Sequence, residues 1–243
     1  MRAIKVLFVD KGGVLVDNED DLSPQWRRLI GEFLSRRLGG SADAWGASNV
    51  PAFERQLERW RAAMAERGPA DIRGFFAKDA RLWFLDMCDA AGHGRPANDE
   101  AERIAAETVS YVKAHLVIQA PRRGLEALRS LRRRGVVLHT ASGDSHDDLV
   151  DFLGQIGARD LFDRIYGSDV VNTWKVGPEY YRAILKDSGV AADDAAVVDD
   201  SPKALSWARE LGLRGYLVER HEGEDFDSAV TRTFGDVAKD AVT

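Results

Sequence analysis

The chain has one cysteine in 243 residues, Cys88. That excludes an internal disulfide framework and any zinc site built from several thiolates. Cys88 ends the apolar segment Trp83-Phe84-Leu85-Asp86-Met87-Cys88, whose helix-like pattern predicts a buried packing residue rather than a nucleophile. An excess of positive charge is also missing. Lys and Arg number 34 against 40 Asp and Glu, a formal net charge of −6, which argues against a nucleic-acid partner. The one dense basic cluster, Arg132-Arg133-Arg134, closes an amphipathic stretch, where cations complement a helix dipole. No apolar run approaches the roughly 20 residues that span a bilayer, so no membrane partner is expected. The apolar N-terminal segment is too short for a secretory leader and reads as a first strand, leaving a cytoplasmic location as the expectation. Internal repeats and low-complexity segments are absent too.

What is present is an ordinary globular composition, 44% hydrophobic and 30% charged, in a chain long enough for one core carrying a smaller inserted unit. Two textures divide it. Residues 1–17 and 118–243 form one expected domain, with apolar strand-like runs at Ile4–Val9, Val136–Thr140, Arg164–Tyr166, Ala195–Val198 and Gly215–Val218. Helical patterns at Gly124–Arg134, His146–Ile156, Pro178–Asp187 and Pro202–Leu211 separate the later runs. Strand alternating with helix predicts an α/β fold with a doubly wound parallel sheet. The tail from His221 is acidic and is expected to lie on the surface.

Residues 18–117 contain no convincing strand. Ser23-Pro24 opens a predicted helix to Leu38, stopped by Gly39-Gly40. A second is expected over Pro51–Arg67 with Gly68-Pro69 closing it, a third over Asp71–Ala90, and a fourth from Asn98 to His115. Together they read as an inserted helical bundle, with Trp26, Trp45, Trp60 and Trp83 as bundle core.

Four places along the α/β texture carry complementary polar residues. Asp10 ends the first apolar run and is followed by Lys11-Gly12-Gly13. Thr140 and Ser142 follow the second; Lys175 precedes a helix; Asp199-Asp200 follow Ala195–Val198. Strand ends of a parallel sheet share one edge, so these groups are expected to converge there. Each type has a part in phosphoryl transfer. A carboxylate attacks phosphorus, paired acids suit Mg²⁺, a lysine adds positive charge, and a hydroxyl donates to a phosphoryl oxygen. His93, His115 and His139 sit in contexts that read as structural.

In these residues and their order, from residue 4 to about 218, the chain resembles the haloacid dehalogenase-like (HAD) hydrolase superfamily, in the subgroup whose helical cap is inserted after the first strand. The resemblance implies a Rossmannoid core with a helical bundle cap at 18–117. It implies Asp10 as nucleophile and Thr140 as the phosphate-binding hydroxyl, with Ser142 a nearby alternative. It further implies a substrate-binding set of Thr140, Ala141, Ser142 and Lys175, and a Mg²⁺ site formed by Asp10, Asp199, Asp200 and the backbone carbonyl of Gly12. The activity so implied is that of a phosphatase acting on a small phosphorylated metabolite.

Two positions depart from the family. Its members often read Lys-Pro, where this chain has Lys175-Val176-Gly177-Pro178. Its phosphatases typically read Asp-x-Asp, the second acid protonating the leaving group and then activating water; here that position is Gly12. General acid–base chemistry contributes roughly 10²–10⁴-fold. Asp17, Asp20, an acid on the cap, or a leaving group that needs no proton would fill the gap. A silent relative that binds a phosphorylated ligand or a protein partner is the alternative. A phosphonatase-like enzyme, for which the cap offers Lys78 and Lys113, is the lesser one.

Overall fold

A computed structural model describes residues 2–66 and 71–241, which fall into two compact units. One draws on Met1–Asp20 and Ile118–Thr243, the other is Asp21–Val117. Along the chain, β1 (Val6–Val9) is followed by α1 (Ser23–Leu38), α2 (Ala42–Ala65), α3 (Ile72–Ala90) and α4 (Asn98–His115). Then come α5 (Arg122–Arg133), β2 (Val137–Thr140), α6 (His146–Gln155), α7 (Pro178–Ser188), β3 (Ala195–Asp199), α8 (Pro202–Glu210), β4 (Arg214–Leu217) and α9 (Phe226–Asp240).

The four strands form one parallel sheet in the order β2-β1-β3-β4. β1 and β3 are buried along their whole length, which is why they read as continuous apolar runs rather than alternating ones. Leu7, Val9, Leu138, Ala196 and Val198 face α5, α6 and α9 in one core. Val6, Phe8, Ala195 and Val197 face Tyr180, Tyr181 and Ile184 of α7 and Leu205 and Ala208 of α8 in another. This is the expected doubly wound arrangement, with helices on both faces.

Two segments of this unit differ from expectation. Arg164–Tyr166 forms no regular strand. It lies along the free edge of β2, with Thr140 N–H donating to the Arg164 carbonyl (3.1 Å) and Ser142 N–H to the Tyr166 carbonyl (3.1 Å). But Asp163, not Arg164, donates to the Leu138 carbonyl, and Arg164 N–H turns to the His139 ring nitrogen Nδ1 (3.2 Å). A side chain has captured the donor a ladder would need, leaving one isolated bridge. The acidic tail is not a surface tail either: α9 buries Ala229, Val230, Phe234 and Val237 in the same core as α5. Its acids serve the helix. Asp225 caps it by accepting from Ser228 N–H, and Glu224 pairs with Arg232 (2.9 Å).

In the helical unit, α1, α3 and α4 lie where the sequence placed them. α2 begins nine residues before the expected Pro51, at Ala42. The Ser41 side chain caps it and Trp45 Nε1 holds the Gly39 carbonyl (2.9 Å), so the proline, read as a start, falls inside a helix already nucleated. The expected stop at Gly68-Pro69 lies outside the described residues. The core of this unit joins Leu29, Ile30, Trp45, Trp83, Phe84 and Ile104, with Cys88 fully buried among them. Burial pushes the Cys88 thiol up to about 11, in keeping with packing rather than reactivity. No helix among the described residues is long and apolar enough to cross a membrane.

Candidate active site

The site begins with strand register. Val9 of β1 pairs with Val198 of β3, and the Asp10 N–H donates to the Val198 carbonyl (3.0 Å). The next residue on each strand is therefore an aspartate, Asp10 beside Asp199, at the carboxyl edge of the sheet. Strand order makes this pair the switch point: the connection from β2 to β3 passes β1, and open α/β sheets bind ligands there.

Lys175 arrives from the loop before α7, which Thr173 N–H fastens to the Ser168 carbonyl (2.9 Å). The expected proline after this lysine is Val176, yet the ammonium is well placed. Its Nζ lies 3.0 Å from Asp10 Oδ1 and 2.7 Å from Asp199 Oδ2. Asp199 is 1% exposed and its oxygens are fully engaged, Oδ1 by Ser201 N–H (2.9 Å) and Oδ2 by Lys175 and the Tyr181 hydroxyl (3.4 Å). Asp200 accepts from Asn18 Nδ2 (2.7 Å). Gly13 is required twice over: its φ is +64°, and a Cβ there would sit 2.1 Å from Asp200 Oδ2.

The charges do not balance. Oxygens of Asp10, Asp199 and Asp200 lie within 4.8 Å of one another, with one lysine among them. Burial pushes the Asp10 carboxyl up to about 6, Lys175 pulls it down and the Asp199 charge adds to the rise. Asp200 is raised by burial and by Asp199. Burial disfavours the Lys175 ammonium, but Asp10 and Asp199 outweigh it and raise its pKa. Crowded, partly desolvated carboxylates offering only oxygen donors fit a hard divalent cation such as Mg²⁺, which would relieve their mutual repulsion.

Of the residues singled out from sequence, Asp10, Gly12, Ser142 and Lys175 line one cavity of about 360 Å³. Thr140 and Ala141 do not. Thr140 is buried and its hydroxyl donates to the Tyr166 carbonyl (3.2 Å), tying β2 to its neighbouring segment. Ser142, the nearby alternative, is the hydroxyl that reaches the cavity. Asp17 and Asp20 are also outside its lining, and Asp17 is held by Arg220. Lys11, Asn18, Gly143 and Asp144 line the cavity without having been singled out as site residues. Lys11, Gly143 and Asp144 had one available signal, their place beside Asp10 or Ser142 at a strand end. Asn18 had none, because a looping backbone (Gly13 N–H to the Val16 carbonyl, 2.8 Å) brings it back. A Cβ on Gly12 would stand 3.0 Å from Asn18 Oδ1, so the Asn18 amide adjoins the space a side chain at position 12 would enter.

A family model described as haloacid dehalogenase-like hydrolase matches residues 4–212. Among curated proteins, Phosphatase MT3486 of Mycobacterium tuberculosis is 32% identical over 105 residues, 43% of this chain and 48% of that protein. Drimenol cyclase drtB of Aspergillus calidoustus is 29% identical over 115 residues, 47% of this chain and 21% of the cyclase. The chain thus matches about a fifth and about half of the length of these curated relatives. Among solved structures, a 2-haloacid dehalogenase from Pseudomonas syringae pv. Tomato DC3000 aligns with a TM-score of 0.67 at 15% identity, over 97% of this chain and 98% of the other. A Thermotoga maritima protein assigned as a β-phosphoglucomutase aligns with a TM-score of 0.61 at 16% identity, over 97% and 99%. At such identities these two establish likeness of fold alone.

Proposed function

The chain belongs to the haloacid dehalogenase-like hydrolase family, and from that premise we propose that it is a Mg²⁺-dependent phosphatase of a small phosphorylated metabolite, acting through an aspartyl phosphate on Asp10. The observation that carries the reading is the cluster of Asp10, Asp199 and Asp200 around one lysine at the β1/β3 switch point. The partial likeness to a mycobacterial phosphatase agrees with it.

In this mechanism an Asp10 carboxylate oxygen bonds to phosphorus as the ester P–O bond breaks, and water later displaces the phosphoryl group from Asp10. Lys175 holds Asp10 and Asp199 side by side and offsets the negative charge that would repel an incoming phosphate. Ser142, at the cavity wall, turns its hydroxyl from Asp144 to a phosphoryl oxygen. Asp10, Asp199, Asp200 and the Gly12 carbonyl would hold Mg²⁺, which when bound neutralises the carboxylates and polarises the phosphoryl oxygens. The cavity volume suits a phosphoryl group on a small organic moiety. Substrate selection falls to the helical unit, in the role of a cap.

Gly12 favours a second reading, a relative that binds a phosphorylated ligand without turning it over. A panel of phosphate esters assayed for phosphate release with and without Mg²⁺ separates the two. The enzyme reading expects Mg²⁺-dependent release that Asp10→Asn lowers by at least about 10³-fold. A flat panel, with inorganic phosphate still raising the melting temperature in the presence of Mg²⁺, would establish the binder instead.

A further inference from the structure

A phosphatase with glycine at position 12 still has to take a proton from the water that hydrolyses its phosphoenzyme. Among the described residues, two carboxylates line the cavity: the nucleophile Asp10 and Asp144. The other acids near the site are committed elsewhere. Asp199 is enclosed by Lys175, Ser201 and Tyr181, Asp200 is held by Asn18, and Asp17 is paired with Arg220. Asp144 is ion-paired too, but unlike these it lines the cavity. It follows β2 on the same loop as Ser142, its side chain is 32% exposed, and it is fixed in place. Its Oδ2 lies 2.6 Å from Lys11 Nζ and accepts from Ser142 Oγ (3.3 Å), while its own N–H donates back to that hydroxyl (3.3 Å). Lys11 is itself seated over the Phe152 ring, 5.4 Å from its centroid. The pair is thus anchored at both ends on the cavity wall.

We infer that Asp144 is the general base of the hydrolytic half-reaction, doing from the β2 loop what position 12 cannot. The inference rests on the phosphatase reading above. Its carboxylate, held by Lys11 at the cavity wall, is the acceptor for the proton. During hydrolysis the water oxygen bonds to phosphorus, the P–O bond to Asp10 breaks, and the water proton passes to an Asp144 oxygen. Phosphate and the Asp10 carboxylate are the products, and the proton leaves Asp144 for solvent through the exposed side of its carboxyl. Among the described residues that line the cavity no further carboxyl serves the first half-reaction, so the leaving oxygen departs without a proton. Substrates are therefore those whose leaving oxygen is stable as an anion: acyl, enol or aryl phosphates rather than simple alkyl esters.

The two half-reactions report on different kinetic constants. With 4-nitrophenyl phosphate and Mg²⁺, kcat/KM stops at phosphoenzyme formation, whereas kcat includes its hydrolysis. Asp144→Asn is expected to lower kcat about 10²-fold while leaving kcat/KM within about threefold, and to accumulate an acid-stable burst of bound phosphate. Asp144→Glu should recover part of kcat. A merely structural loss would lower both constants together without a burst, and that result, or an unchanged kcat, would overturn the assignment while leaving the phosphatase reading intact. A wild-type chain inert to every ester of the panel would overturn both.

Discussion

Each unit of this protein buries a carboxylate among cations, and the two arrangements differ in one respect. In the helical unit Asp79 is 2% exposed and accepts from Gln56 (2.8 Å), Arg59 and Trp60, while Arg59 also binds Asp86 (2.8 Å). Two acids there share two arginines, Arg55 and Arg59, so the charges balance. In the α/β unit three carboxylates share one lysine. Burial alone therefore does not mark a reactive group. A surplus of one sign, set side by side by strand register, does: the charges of the first cluster balance and those of the second call for a cation.

Several measurements would break or sharpen that contrast. Besides the loss expected of Asp10→Asn, the largest effect concerns the cation. Mg²⁺ at about a hundred times its dissociation constant should stabilise the fold by about 2.7 kcal/mol, raising the melting temperature by about 5–10 °C. Asp200→Asn should abolish that rise, and Asp79→Asn should leave it untouched while lowering the melting temperature with or without Mg²⁺. Calorimetry of the three proteins with the metal alone decides it; an equal response in both variants would erase the distinction between the clusters.

A smaller effect is expected at the vacant acid. With Asn18 at 3.0 Å from the Cβ that Gly12→Asp would add, the single variant is strained against a flexible side chain, and Asn18→Ala makes room. The double variant should raise turnover of an alkyl phosphate about tenfold more than that of 4-nitrophenyl phosphate. Equal gains would show that leaving-group protonation is not what position 12 lacks.

The smallest effect belongs to a buried histidine, His139. Burial holds its pKa below the ordinary 6.5, and its Nδ1 must stay unprotonated to accept from Arg164 N–H. The unfolded chain therefore takes up the proton first. Stability from this residue is present above about pH 6.5 and declines as pH falls through that value and below. His139→Asn, which keeps the acceptor, should flatten the slope of denaturation midpoint against pH between 7 and 5; an unchanged slope would assign it to other groups.

Much of this was legible before any coordinates. Strand ends carry their own punctuation, so an apolar run stopping on Asp10 or Asp199 located both the element and the functional group. Lys175 was readable for its type and order. What was not readable depended on chain reversal or competition between donors. Thr140 ends β2 and Ser142 follows it, and only the Tyr166 carbonyl, brought alongside by a segment that is not a strand, shows that the Thr140 hydroxyl is tied into the sheet edge while Ser142 lines the cavity. Asn18 returns to the site by a loop with no periodicity to read. The α9 helix was hidden because its caps are acidic and its apolar face is spaced among charges. Pro51 misled because a strong cap ten residues earlier overrode it.

The hydrogen bond from Asp10 to the Val198 carbonyl joins the first strand to one that follows it in the chain only after the helical unit, α5, β2, α6 and α7. Neither half of the acid cluster exists without the other, and the chain between them includes the whole helical unit. During synthesis or refolding Asp10 must wait, solvated, until β3 docks against β1. Reactivity therefore depends on a pairing of long sequence separation, and activity recovered on refolding should lag behind the signal from its helices.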